Sequence, residues 1–128
     1  MNINLEIIKI APRTSDSQID YNTLIFRLEL RKKIDLETSK DLWVFLKALI
    51  DGGALKIMVD FRNVDYIDSA GIGVLINAAK LVRNNKGDIA LANVSNDVKS
   101  IFKIINLQNF IKTYNSDVEA ENSFRYIT

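Results

Sequence analysis

Three times between Asp35 and Tyr114 the hydrophobic pattern passes from the period of a helix to that of a strand, and this alternation narrows the architecture to one class. "DLETSKDLWVFLKALIDGG" sets Leu42, Phe45, Leu46 and Leu49 on one helical stripe, which Gly52 or Gly53 can end in the left-handed conformation. Trp43 falls off that stripe beside Lys47, where it either caps the core edge or faces a partner. "ALKIMVDF" is short, β-branched and apolar on both faces, as a central strand must be. "AGIGVLINAAKLVRNNKG" carries Ile72, Leu75, Ile76 and Ala79 at i, i+3, i+4 and i+7, and Gly87 closes it. "DIALANV" is again a strand. "SNDVKSIFKIIN" opens on Ser95 as an N-cap and aligns Val98, Ile101, Phe102 and Ile105, and "FIKTY" is a last short strand. Strands separated by helices run parallel and are joined by right-handed crossovers.

Two strands precede this series. In "NINLEIIKI", Ile3, Leu5 and Ile7 alternate with Asn2, Asn4 and Glu6, the pattern of a half-buried strand. "TLIFRLEL" turns Leu24, Phe26, Leu28 and Leu30 inward and Arg27 and Glu29 outward. "APRTSDSQIDY", with the only proline, reads as the exposed connection of an antiparallel hairpin. At the far end, Ser116 and Glu119 have the spacing of a capping box for a final helix. The order β-β-α-β-α-β-α-β-α predicts an α/β fold. Its central sheet is mostly parallel, with an antiparallel N-terminal strand at or near an edge and about four helices. Residues 1–128 read as a single domain, long enough to bury a core without disulfide or metal staples.

Composition removes several function classes. The chain has no cysteine and no histidine, so thiol nucleophiles, histidine bases and the usual zinc sites are absent, and neither metal nor cofactor is expected. A formal net charge of +1 gives no basis for direct nucleic-acid binding. No apolar run approaches the ~18 residues of a membrane span, and "MNINLEIIKI" lacks the layout of a secretory signal, so the expected location is the cytoplasm. No Gly-rich loop ends in Gly-Lys-Ser/Thr, and "DSAGIG" is not a nucleophile elbow. A binding module is expected, not an enzyme.

"DYIDSAGIGVL", residues 65–75, puts an acid, a hydroxyl and two glycines where an apolar strand gives way to a helix. Asp68 or Ser69 can cap that helix. Gly71 and Gly73 each cost a helix roughly 1 kcal/mol relative to alanine. Either the helix packs closely on the sheet, or open backbone is left around Ser69 for another protein to reach its hydroxyl.

The stretch from "IMVDFRNVDYIDSAGIGVL" through "DVKSIFKIINL" resembles the STAS domain, specifically that of bacterial anti-sigma factor antagonists. The shared pattern is a strand ending in an acid, D-S-[small]-G-[apolar]-G, an apolar helix, a Gly-led strand, and V-K-x-x-[apolar] before the last strand. All of it lies within residues 54–114, and "LIFRLEL" followed by "IDLETSKDL" matches more loosely. The resemblance implies that Ser69 is phosphorylated by an anti-sigma factor that is itself an ATP-dependent serine kinase. The unphosphorylated form would bind that kinase and free a sigma factor, and a PP2C-type phosphatase would reset it. Asp35, Asp68, Ser69, Ala70, Gly71 and Gly73 would form the docking surface, on a monomer or weak dimer. The chain departs from the family in its basic run Arg31–Lys33, its longer loop at 11–21 and Asn106 after the third helix. Two other readings stay open. One is a STAS scaffold within a larger signalling or transporter-associated complex, with Ser69 only a helix cap. The other is a small enzyme or small-ligand binder using the same cleft.

Overall fold

Five strands stand in chain order across one sheet of the computed structural model, which describes residues 2–9 and 23–125. They are β1 (Ile3–Lys9), β2 (Leu24–Ile34), β3 (Lys56–Ile67), β4 (Asp88–Ala92) and β5 (Lys112–Tyr114). β1 runs antiparallel to β2, and the other neighbours are parallel, as the pattern predicts. The connections are α1 (Leu36–Asp51), α2 (Ser69–Asn84) and α3 (Asn96–Ile104), the last followed by a 3-10 turn at Leu107–Asn109. α4 (Asp117–Arg125) follows β5.

Parallel strands in chain order, with crossovers of one hand, throw every crossover helix onto the same face. α1, α2 and α3 therefore share one core with the sheet, in which Leu42 and Leu46, Leu75 and Ala79, and Val98 and Phe102 meet Leu28, Val59, Phe61 and Leu91. The opposite face is left to α4, whose Ala120 and Phe124 cover Ile25, Met58, Ala90 and Ala92. This double cover explains why "KIMV" is apolar on both faces. Among the described residues no helix is long and apolar enough to cross a membrane.

Several expectations are corrected. Leu5 and Ile7 are 42% and 55% exposed, because the helices lie over β2, β3 and β4 and leave the edge strand largely uncovered. β2 and β3 each run well beyond the apolar stretches that announced them, to Ile34 and Ile67. β4 ends at Ala92, opposite Asp60, so the extension is a two-stranded ribbon whose polar residues are wet. Of the two candidate glycines after α1, Gly53 carries the left-handed backbone (φ 111°), whereas Gly52 is right-handed. Asn106 takes the left-handed conformation after α3 (φ 58°). Ser116 Oγ accepts the Glu119 N–H at 3.1 Å, but Glu119 reaches back to the Asn115 N–H at 3.2 Å, so the box closes one residue early. The loop at 11–21 lies outside the described residues.

Arg27 does not face solvent. It points beneath α4, where it binds the fully buried Asp60. Asp60 Oδ2 also accepts from Arg62 Nε at 2.7 Å, and Oδ1 from the Arg62 backbone N–H and Asn93 Nδ2 at 2.9 and 3.0 Å. Asp117, in the first turn of α4, accepts from Arg62 Nη2 at 2.8 Å and Asn93 Nδ2 at 2.7 Å, and its Oδ2 lies 3.3 Å from Arg27 Nε. The Asp60 charge, with Asp117 behind it, raises the pKa of Arg62 above its ordinary value. The network therefore ties β2, β3, the end of β4 and α4 together at one point.

Candidate functional site

β2 and β3 end side by side, with Ile34 paired to Ile67, and each passes through one aspartate into a helix. Asp35 and Asp68 are thus equivalent N-caps of neighbouring helices. Asp35 Oδ1 accepts the N–H groups of Glu37 and Thr38 at 3.1 and 2.9 Å, and Thr38 Oγ1 accepts the Asp35 N–H at 2.9 Å. Lys33 Nζ sits 3.3 Å from the other carboxylate oxygen. The Thr38 backbone N–H, helped by the Thr38 hydroxyl and the Lys33 charge and opposed by partial burial, lowers the Asp35 pKa to about 2.

Asp68 does more than cap its own helix. Oδ1 accepts from Ala70 N–H and Gly71 N–H at 3.0 and 3.1 Å, while Oδ2 takes the N–H of Leu36, on α1, at 3.0 Å. The Asp68 N–H in turn donates to the Ile34 carbonyl at 3.1 Å. One carboxylate therefore fixes both helix starts relative to each other.

The sequence left the cap open between Asp68 and Ser69; it is Asp68. Ser69 is the first helical residue, exposed, and its hydroxyl makes no hydrogen bond among the described residues. Ser69 is therefore not the cap of α2.

The two glycines separate the two explanations proposed for them. Gly71 is buried, and a Cβ there would lie 2.6 Å from Ile34 Cγ2 and 2.8 Å from both Ile34 O and Ile67 Cγ1. It sets how closely α2 sits on the strand ends and offers no side of its own to a partner. Gly73, two residues along, has nothing within 4 Å of an added Cβ and leaves open surface. Gly71→Ala should lower stability by about 1–3 kcal/mol through overpacking, whereas Gly73→Ala should raise it by up to about 1 kcal/mol. Urea unfolding of the two variants checks the contrast.

The structure brings Asp35, Asp68, Ser69 and Ala70 to one end of the sheet, places Gly73 behind them and sinks Gly71 below them. It adds Leu36, which the sequence did not single out. Leu36 is 67% exposed between the two caps, beside a shallow hollow of about 490 Å³ also lined by Asp35, Glu37, Lys40 and Asp68. Its position off the buried stripe of α1 was the available signal.

The model of the STAS domain family matches residues 15–120. The anti-sigma-B factor antagonist of Staphylococcus aureus is 25% identical over 121 residues, covering 94% of this chain and all (100%) of that one. The crystal structure of a proposed anti-sigma factor antagonist from Thermotoga maritima superimposes with a TM-score of 0.72 at 25% identity, covering 84% of this chain and 90% of the other. The phosphorylated form of the Bacillus cell fate determinant SpoIIAA shares the fold, with a TM-score of 0.67 at 17% identity over 97% of this chain and 100% of that one.

Proposed function

We propose, from the premise that this chain belongs to the STAS domain family and is related to anti-sigma factor antagonists, that it is a partner-binding switch set by phosphorylation of Ser69. In this reading one domain, residues 1–128, carries the device. Unphosphorylated, it binds an anti-sigma factor with serine kinase activity and releases a sigma factor; a PP2C-type phosphatase restores it. Asp35, Asp68, Ser69, Ala70 and Gly73 contribute the docking surface, with Gly71 holding α2 in place. It binds and does not catalyse.

The observation that carries this reading is the hydroxyl of Ser69, which has no hydrogen-bond partner among the described residues. The neighbouring carboxylate performs the capping, so Ser69 is structurally unemployed at an exposed helix start. A kinase can take it without dismantling the fold. SpoIIAA, which shares this fold, exists in a phosphorylated form, and that supports the reading.

Ser69→Ala should therefore leave stability within about 0.5 kcal/mol of the wild type, as for surface changes away from caps and cores. Incubation with ATP and candidate anti-sigma kinases, read by intact mass, should add one phosphate to the wild type and none to Ser69→Ala. Phosphate uptake that persists in the variant would move the switch to another hydroxyl.

A further inference from the structure

Arg31, Lys32 and Lys33 are consecutive in β2, yet all three are exposed, whereas successive side chains of a regular strand point to opposite faces. Two breaks in the pairing with β3, between Glu29 and Arg31 and between Lys32 and Lys33, remove that alternation. Lys32 also has a left-handed backbone, φ 64°, which a side chain other than glycine or asparagine adopts under strain. Backbone strain of this kind persists where the surroundings impose it, and it concentrates at functional sites.

A groove of about 790 Å³ runs over these residues, with Tyr66, Asp65, Thr38 and Asn2 completing its walls. Lys33 is already engaged by Asp35. Arg31 and Lys32 form no ion pair among the described residues. Tyr66 is half-exposed, and such aromatics are favoured anchors in protein interfaces. Because Lys33 pairs with Tyr66 and Ile34 with Ile67, the groove opens directly beside the two aspartate caps.

We infer that this groove receives an acidic segment of the same protein that docks at Ser69. The inference rests on the switch reading and adds where the partner must carry its negative charge. A nucleic acid fits less well. Its affinity comes from many phosphates neutralised along a continuous basic track. Here three cations are interrupted by Asp65 and followed at once by Asp35, Glu37 and Asp68, on a chain of net charge +1. A short run of carboxylates can meet Arg31 and Lys32 and stop before that acidic border. Charges at the edge of an interface act mainly on association rate and salt dependence.

The test uses the full-length, isotope-labelled chain with two probes, an octaglutamate peptide and an oligothymidylate of equal charge. The peptide should shift the backbone amide signals of Arg31, Lys32, Lys33 and Tyr66, and this binding should fade between about 50 and about 500 mM salt. The double variant Arg31→Glu, Lys32→Glu should bind the peptide at least tenfold more weakly. The neutral pair Arg31→Gln, Lys32→Asn, whose asparagine tolerates the positive φ, should lose less. Wild-type peptide affinity in both variants, or tighter binding of the oligothymidylate than of the peptide, would overturn the assignment. Phosphate uptake at Ser69 is read separately by mass. Peptide binding without uptake keeps the groove and removes the switch, whereas uptake without peptide binding removes the groove alone.

Discussion

Asp60→Ala should destabilise the protein by about 3–5 kcal/mol, the usual consequence of removing one partner from a buried ion pair. Asp60 is fully buried and collects four donors, from Arg27, from the side chain and backbone of Arg62, and from Asn93. Truncation strands the Arg27 guanidinium, whose side chain is only 12% exposed, with Asp117 as its one remaining carboxylate among the described residues. Against the roughly 5–15 kcal/mol of a whole domain, that is a large fraction. The loss should be local before it is global, because Asp117 and the apolar pair Ala120 and Phe124 are what hold α4 to its face of the sheet. Hydrogen exchange should quicken first in α4, and urea unfolding should give the total. Asp60→Asn keeps the shape and one acceptor and should lose less. A loss under about 1 kcal/mol for Asp60→Ala would place the network among solvent-screened surface pairs.

This network also shows where the sequence stops being informative. Arg27 sits in an alternating strand, so periodicity alone sends it outward with Glu29. Its partners Asp60 and Asp117 lie on other elements, and only the folding of α4 over that face turns an outward residue into a buried one. Likewise, Ile3, Leu5 and Ile7 carry a strand period that says nothing about which strands the helices cover. Leu5 and Ile7 end up at the edge, beyond that cover. Periodicity did predict the order of strands and helices, because each crossover needs a stripe facing one core. It could not see that β2 and β3 continue past β4 as a ribbon. There "RKK" and "RNVDY" lose the apolar alternation while keeping the backbone pairing. The site was legible for a different reason. Each helix start needs a side chain to satisfy its free N–H groups, so the start of α2 marked Asp68 together with Ser69, whereas Asp35 entered only through the resemblance to the STAS family. The bond from the Leu36 N–H to Asp68, which joins the two starts, depends on Ile34 and Ile67 pairing across the sheet, a relation no local pattern encodes.

Ser69→Asp should weaken binding to the kinase partner of the proposed switch by at least about thirtyfold, the lower end of the about 2–5 kcal/mol that a disrupted charge arrangement costs in a desolvated interface. The cap geometry decides how the new charge is received. Of the N–H groups at the start of α2, those of Ala70 and Gly71 are taken by Asp68 Oδ1, that of Ile72 by the Asp68 carbonyl, and that of Asp68 by Ile34. Among the described residues only the Ser69 N–H is left for a carboxylate or phosphate at this position. The helix dipole still favours an anion there, by about 0.3–1 kcal/mol, while the adjacent Asp68 carboxylate opposes it. The two contributions nearly offset, so the thermal midpoint should move little. In the complex the balance is different. The new carboxylate would stand beside Asp68, Asp35 and Glu37 on a surface that must shed its water, next to the exposed Leu36. Ser69→Asn, which matches aspartate in shape without its charge, is the control and should stay close to wild-type affinity. Titration calorimetry of all three proteins against a kinase that phosphorylates Ser69 gives the answer. Loss of affinity in both variants would make the effect one of size, and equal affinities throughout would place Ser69 outside the interface.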